Sequence, residues 1–201
     1  MNTLSEKNAE RHPVDQFDKW FRDVLKRKFK EPAAVMLATA TTGGKPSARA
    51  VLMKDFSKEG FVFFTNYSSR KGRELQKNPK AAMLFYWDVL ERQVRVEGAV
   101  TKAGKEISDK YFDSRPRLSR ISAIASPQSR ILADRTMLEK KVNELTTKFE
   151  GQEKIPRPAH WGGFILKPTY FEFWQGRPNR LHDRIIYVLS KGKWKMSRLA
   201  P

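Results

Sequence analysis

The chain has 201 residues, no cysteine, and a formal net charge of +18 from forty Lys and Arg against twenty-two Asp and Glu. That length suffices for one domain with a sizeable core, while the composition excludes disulfides and thiolate metal sites, and His12, His160 and His182 are too scattered to mark a zinc cluster. The charge would suit a nucleic-acid binder, but the basic residues run along the whole chain with no basic tail, zinc finger or RNP1-type motif, so polyanion binding at low salt is expected to be adventitious and no specific nucleic-acid partner is implied.

Residues 1–13 read as a mobile polar tail ahead of a single domain over 14–201. The tail lacks the apolar run of a signal peptide. Nor does any apolar stretch approach the roughly 20 residues that span a bilayer, so the simplest compartment is the cytoplasm, with no membrane partner. Within 14–29, Phe17, Phe21, Val24 and Leu25 recur at helical spacing, beside Trp20 and Phe29. Strands over 34–41 and 47–54 join through Thr42-Gly-Gly-Lys45, a hairpin signal. A third strand covers 61–65, and Asn66-Tyr-Ser-Ser-Arg-Lys71 then opens a short helix that ends near Pro79, with Ser68 or Ser69 as N-cap. Arg70 and Lys71 fall in its first turn, where cations oppose the helix dipole; a docked anion accounts for the placement. Strands over 81–87 and 93–102 precede two or three helices within 105–150, the last with Met137, Leu138, Val142, Leu145 and Phe149 on an apolar stripe. Strands return at 163–167, 170–174, 184–189 and 194–198. Closely spaced strands with inserted helices predict an antiparallel barrel rather than a doubly wound sheet.

Two clusters carry candidate chemistry. Residues 172–184 hold Arg177, Arg180, Arg184, His182 and Trp174 between two strand patterns, where a loop is held at both ends by sheet. In the helical region, Tyr111, Arg115 and Ser119 lie four apart and share one face of a continuous helix, although Pro116 favours a break there. A phenol, a guanidinium and a hydroxyl are the donors a phosphate accepts from. Taken singly, the same residues also fit a solvated loop and an ordinary helix corner. Trp174 fits a core indole, Gln93 an outward strand residue and Ser129 a helix cap. Trp161, with Gly162 and Gly163, reads as structural: a packed indole and a close backbone approach.

Eight motifs occur in a fixed order: RAVLMK (49–54), FFTNYSSRK (63–71), LERQVRVEG (90–98), YFDSRPRLS (111–119), SPQS (126–129), WGGF (161–164), EFWQGRPNRLHDR (172–184) and RLAP (198–201). Together they resemble the pyridoxamine 5'-phosphate oxidase family over nearly the whole chain, from about Phe17 to Pro201. The resemblance implies a mainly β, α+β fold, the antiparallel split β-barrel that binds FMN, as a homodimer with both flavins at the interface. It implies FMN-dependent oxidation of pyridoxamine or pyridoxine 5'-phosphate by O2 to pyridoxal 5'-phosphate, with release of H2O2. Arg49, Ala50, Val51, Leu52 and Lys54 are then expected to line the FMN site, with Phe64 and Thr65 approaching the flavin and Arg70 and Lys71 on its phosphate. Gln93, Gln128, Ser129, Trp174 and Arg184 complete that shell, part of it from the partner subunit. Lys54, Tyr111, Arg115 and Ser119 are expected on the substrate phosphate; Arg180, Leu181 and His182 contact the substrate, and Arg180 and His182 cover its ring as the candidate catalytic pair. Many family members carry an Arg-x-x-Tyr element before the first helix that folds over the substrate. Residues 1–12 hold none, so weaker closure is expected. Two alternatives are another split-barrel flavoprotein, using a different substrate or deazaflavin, and a binding protein that carries FMN or pyridoxal phosphate without turnover.

Overall fold

Strand alternation places one apolar row of each strand inward, and the sheet curls until that row faces itself. The computed structural model describes residues 3–201. Its strands are β1 (Ala34–Ala40), β2 (Pro46–Ser57), β3 (Gly60–Asn66), β4 (Lys80–Trp87), β5 (Arg92–Lys102), β6 (Trp161–Gln175), β7 (Asp183–Ser190) and β8 (Lys193–Leu199). All pair antiparallel, in the order β3-β2-β1-β4-β5-β6-β7-β8. A further β3–β6 pairing closes β1–β6 into a six-stranded barrel, with β7 and β8 continuing the sheet beyond β6. This is the expected split-barrel α+β fold. The five helices are α1 (Pro13–Leu25), α2 (Arg70–Lys77), α3 (Lys105–Asp113), α4 (Arg117–Ala125) and α5 (Arg135–Lys148). None of the described helices is long and apolar enough to cross a membrane.

Val35, Leu37, Phe61, Phe63, Met83, Phe85, Val94, Val96, Phe171 and Phe173 fill the barrel. Phe17 of α1 plugs one end, with the rings of Phe56, Phe61 and Phe85 each 4.9 Å away. Burying such a phenyl ring contributes about 1.5–3 kcal/mol. A second core joins the inserted helices to the start of β6 through Phe112, Ile121, Leu145, Phe149 and Trp161.

Three expectations change. The strands predicted at 163–167 and 170–174 are one strand, β6, because a bulge at Thr169, the extra β6 residue between the Gly98–Pro168 and Glu97–Tyr170 pairs, lets the strand continue past Pro168. The bulge absorbs the missing N–H, and a Cβ on Gly98 would collide with the Lys167 carbonyl. The first helix stops at Leu25 rather than near Phe29, since the apolar periodicity gives way to the exposed run Lys26-Arg27-Lys28. The segment before α1, expected as a tail, packs on the barrel over residues 3–12: Leu4 is buried and Tyr187 Oη donates to the Glu10 carbonyl at 2.6 Å. Met1 and Asn2 lie outside the described residues.

The outer face of β2, β1 and β4 is apolar and small. Ala50, Met36 and Leu84 lie in one row, Ala48, Ala38 and Ala82 in the next. Met36 is 47% exposed.

Candidate functional site

Ser69 caps α2, its hydroxyl accepting from the Gly72 N–H at 3.2 Å. That fixes Arg70 and Lys71 in the first turn at one end of the barrel. Lys71 Nζ donates to Thr65 Oγ1 at 3.0 Å and to Gln128 Oε1 at 3.1 Å, both neutral. Burial, and then the nearby Arg49 guanidinium, lower its pKa. Arg49 reaches inward from β2 to hydrogen-bond Thr39, Ser47 and the Leu37 carbonyl. Glu74 of α2 lies between the two arginines, 3.4 Å from Arg49 Nη2 and 2.9 Å from Arg70 Nε. Burial alone would raise its carboxyl, but hydrogen bonds from Ser47, Thr39 and Arg70 outweigh this and hold it at about 2. The cationic cluster therefore carries one internal counter-charge, and Lys71 takes no share of it.

A second cluster lies beside the first. Phe64 stacks on Tyr111 of α3 at 4.0 Å and on Trp161 at 5.6 Å. Lys54 Nζ sits 5.9 Å from the centre of the Tyr111 ring. The helix does break before Pro116, between α3 and α4, which turns Arg115 onto the Trp161 ring at 4.7 Å. Its Nη1 is buried with no hydrogen-bond partner, and burial lowers its pKa. Ser119 lies in the first turns of α4, half-buried. Trp161 is the packed indole expected, and it also forms the floor under Arg115.

A third group occupies one row across three strands, Gln93 of β5 opposite Trp174 of β6 opposite Arg184 of β7. Trp174 and His182 are 4.6 Å apart between ring centres. His182 Nδ1 accepts from the Arg177 N–H at 3.1 Å, so the proton of a neutral ring resides on Nε2. Arg184 Nε donates to Glu172 at 2.8 Å, and Nη1 to the Ala200 carbonyl at 2.9 Å. Arg95 binds the other Glu172 oxygen at 2.7 Å. Arg180 and Leu181 are exposed, and Asn179 and Arg180 hold left-handed backbone at φ 57° and 61°.

Arg49, Lys54, Phe64, Thr65, Arg70, Lys71, Tyr111, Arg115 and Gln128 thus gather around α2, β3 and α3. Gln93, Trp174, His182 and Arg184 gather elsewhere. Phe64 pairs with Gly163 at the start of β6, and Gln93 pairs with Trp174 eleven residues further along it, roughly 30 Å or more of strand. Ala50, Val51 and Leu52 lie on β2 between Arg49 and Lys54, with Ala50 and Leu52 on the outer face. Ser129 does not cap the next helix, whose N-cap is Asp134; it holds left-handed backbone at φ 67° in the exposed loop after Gln128. Sequence reasoning passed over Glu74 and Glu172, the acids that set the arginines. Their signals were an i,i+4 spacing from Arg70 and strand alternation with Trp174. Among the described residues no His, Asp and Glu group has metal-binding geometry.

The donor chemistry fits two anionic groups, one at Lys71 and one at Arg115, where buried or half-buried cations lack an acid. A sequence profile described as pyridoxamine 5'-phosphate oxidase matches residues 21–149, and one described as the pyridoxine 5'-phosphate oxidase C-terminal dimerisation region matches 161–201. A pyridoxine/pyridoxamine 5'-phosphate oxidase of Nostoc punctiforme is 53% identical over 199 residues, 98% of this chain and 92% of that one. Its counterpart from Burkholderia mallei is 54% identical over 193 residues, 94% of this chain and 89% of that one. The crystal structure of PhzG from Burkholderia lata, in complex with tetrahydrophenazine-1-carboxylic acid, superposes with a TM-score of 0.93 at 30% identity, covering 100% of this chain and 99% of that one. A pyridoxamine 5'-phosphate oxidase-related, FMN binding protein from Nostoc punctiforme shares the fold, with a TM-score of 0.75 at 15% identity over 96% of this chain and 100% of that one.

Proposed function

The chain belongs to the pyridoxamine 5'-phosphate oxidase family, and we propose that it oxidises pyridoxamine and pyridoxine 5'-phosphates with O2, using FMN, to pyridoxal 5'-phosphate and H2O2, with ammonia from the amine. The observation that carries this reading is a pair of incompletely neutralised cations: Lys71 with neutral partners only, and Arg115 with a buried Nη1 that has none. Two phosphates, one from the cofactor and one from the substrate, satisfy both.

Bound FMN supplies the hydride acceptor for the substrate C4' carbon and the route for electrons to O2. Lys71, Arg49 and Arg70 hold its phosphate, and Glu74 fixes the two arginines in place. Arg115, Tyr111, Ser119 and Lys54 hold the substrate phosphate. Fixing both partners in one orientation is a proximity effect, worth on the order of 7–11 kcal/mol at best. Gln93, Trp174 and Arg184 face the flavin, while Arg180 and His182 cover the pyridine ring, His182 offering its Nε2 proton at the ring edge. Those five residues stand too far along β6 to reach Lys71 and Arg115 of the same chain. A homodimer supplies them from the partner subunit, consistent with the match to a dimerisation region and with the exposed apolar face around Met36, Ala38 and Ala50.

The likeness to PhzG favours a second reading, in which a ring carboxylic acid such as the one in that structure takes the place of the phosphate ester. The identity of 53% to the phosphate oxidases, against 30% to PhzG, weighs for the first. Anaerobic mixing of the FMN-loaded protein with pyridoxamine 5'-phosphate decides. Bleaching of the flavin, then recovery with pyridoxal 5'-phosphate on admitting air, is expected. A flavin that stays yellow with this substrate but bleaches with tetrahydrophenazine-1-carboxylic acid overturns the first reading in favour of the second.

A further inference from the structure

The loop between β6 and β7 is exposed where it bears chemistry: Leu181 is 69% exposed, and Arg180 projects from left-handed backbone beside Asn179. Non-glycine residues hold such conformations only where the surroundings over-determine them. A continuous chain of hydrogen bonds runs from the back of this loop to the N-terminal segment. Arg177 gives its N–H to His182 Nδ1 and its Nε to Asp183 Oδ2 at 2.9 Å. Asp183 Oδ1 accepts from Arg198 Nη1 of β8 at 3.0 Å. Arg198 then grips both oxygens of Glu6, through Nε at 3.2 Å and Nη2 at 3.0 Å. Nη2 also reaches the Leu4 carbonyl at 3.2 Å. The segment carrying Glu6 is anchored on either side, by the Leu4 side chain, 4% exposed, and by the Tyr187 bond to the Glu10 carbonyl.

We infer that residues 4–10 form a clasp on the back of the Arg177–His182 loop, with Glu6, Arg198 and Asp183 as positioning residues for Arg180 and His182; this rests on the reading of that pair as substrate-facing. A two-pronged guanidinium–carboxylate contact fixes the plane of the guanidinium. Glu6 therefore aims the remaining Arg198 nitrogen at Asp183, and Asp183 holds Arg177 with its N–H on His182. An exposed pair of this kind adds little to stability. Its effect is in orientation: it keeps the His182 proton on Nε2 and keeps Arg180 at a fixed height over the substrate.

The test uses the full FMN-loaded chain with Glu6→Gln, which removes the charge, and Arg198→Lys, which keeps the charge but loses the fork. Asp18→Asn, which breaks an exposed pair with Arg22 on α1, serves as a control that behaves as wild type. Both test variants are expected to raise KM for pyridoxamine 5'-phosphate about three- to fivefold, the scale of one exposed charge pair, with kcat within about twofold and an unchanged Tm. Nitrogen-15 spectra of the imidazoles, with the His182 signals assigned by their loss in His182→Asn, are expected to show the Nε2–H form in wild type and a mixture of tautomers in both variants. Wild-type KM and a wild-type His182 spectrum in both variants overturn the clasp. If wild type itself does not oxidise pyridoxamine 5'-phosphate, the functional reading falls, and the His182 spectra alone then decide the clasp.

Discussion

Replacing Glu74 with Gln removes the carboxylate that Arg49 and Arg70 share while preserving its shape. In the wild type its side chain is 6% exposed and accepts from Thr39, from Ser47 at 2.6 Å, from Arg70 at 2.9 Å and from Arg49 at 3.4 Å. Removing one partner of a buried ion pair costs about 3–5 kcal/mol. The Arg70 side chain is 51% exposed and regains water, which reduces the loss to about 2–3 kcal/mol. For a chain of this length that lowers Tm by about 4–12 °C at pH 7. Linkage sets the pH window. The carboxyl sits at about 2 when folded against 4.5 ordinarily, so its contribution is complete above pH 4.5 and is lost as pH falls towards 2. The gap between variant and wild type therefore closes on acidification.

The flavin provides a second, independent handle. In the variant, Arg49 and Arg70 have no internal counter-charge, and a bound phosphate supplies one; FMN should raise the Tm of Glu74→Gln more than that of wild type and reduce the gap to less than half. Far-UV circular dichroism melts at pH 7 and pH 3, with and without FMN, measure all four cases. A gap at pH 3 as wide as that at pH 7, or one that flavin leaves untouched, would refute the assignment of Glu74 as the counter-ion of a phosphate site.

Lys71→Met should raise the FMN dissociation constant about 10–100-fold in a fluorescence titration, through loss of a charged hydrogen bond of about 1.5–3 kcal/mol. The Tm of the flavin-free protein should hold or rise, since burial and Arg49 already disfavour the ammonium; a fall would make Lys71 structural. Arg115→Lys keeps the charge but loses the planar fork over Trp161, and should raise KM for pyridoxamine 5'-phosphate about 10-fold with FMN affinity unchanged; an equal loss of FMN affinity would count against separate phosphate sites. Met36→Asp places a charge on the exposed apolar face and should yield monomers by sedimentation velocity that bind FMN poorly, whereas a dimer that keeps its flavin would locate the interface elsewhere.

Most of the fold was legible because the strands alternate cleanly and the helices between 105 and 150 do not. Pro168 misled, since a proline within a strand pattern ordinarily ends it, and the compensating bulge at the next residue, Thr169, shows only in the register against β5. The N-terminal segment misled for the opposite reason. Its composition is polar, and its attachment depends on one leucine, one glutamate and one backbone carbonyl, too little to form a pattern. At the site, the basic residues stood out because cations in a first helical turn break a local rule. Glu74 and Glu172 break none: an acid four residues after an arginine, or two before a strand tryptophan, is ordinary until the fold shows which guanidinium it meets.

Closure of the barrel by β3 and β6 leaves the outer side of β8 as a free edge of the described sheet. Unpaired N–H and C=O groups along such an edge are a template for another chain, and nature commonly blunts them with lysines. In the strand Lys193-Trp-Lys-Met-Ser-Arg-Leu199, Lys193 and Lys195 are both exposed. Stacking two such strands would bring like charges together at a spacing of about 5 Å. Part of the excess positive charge thus has a use unrelated to any ligand: it keeps this open margin of the sheet from recruiting its neighbours into aggregates.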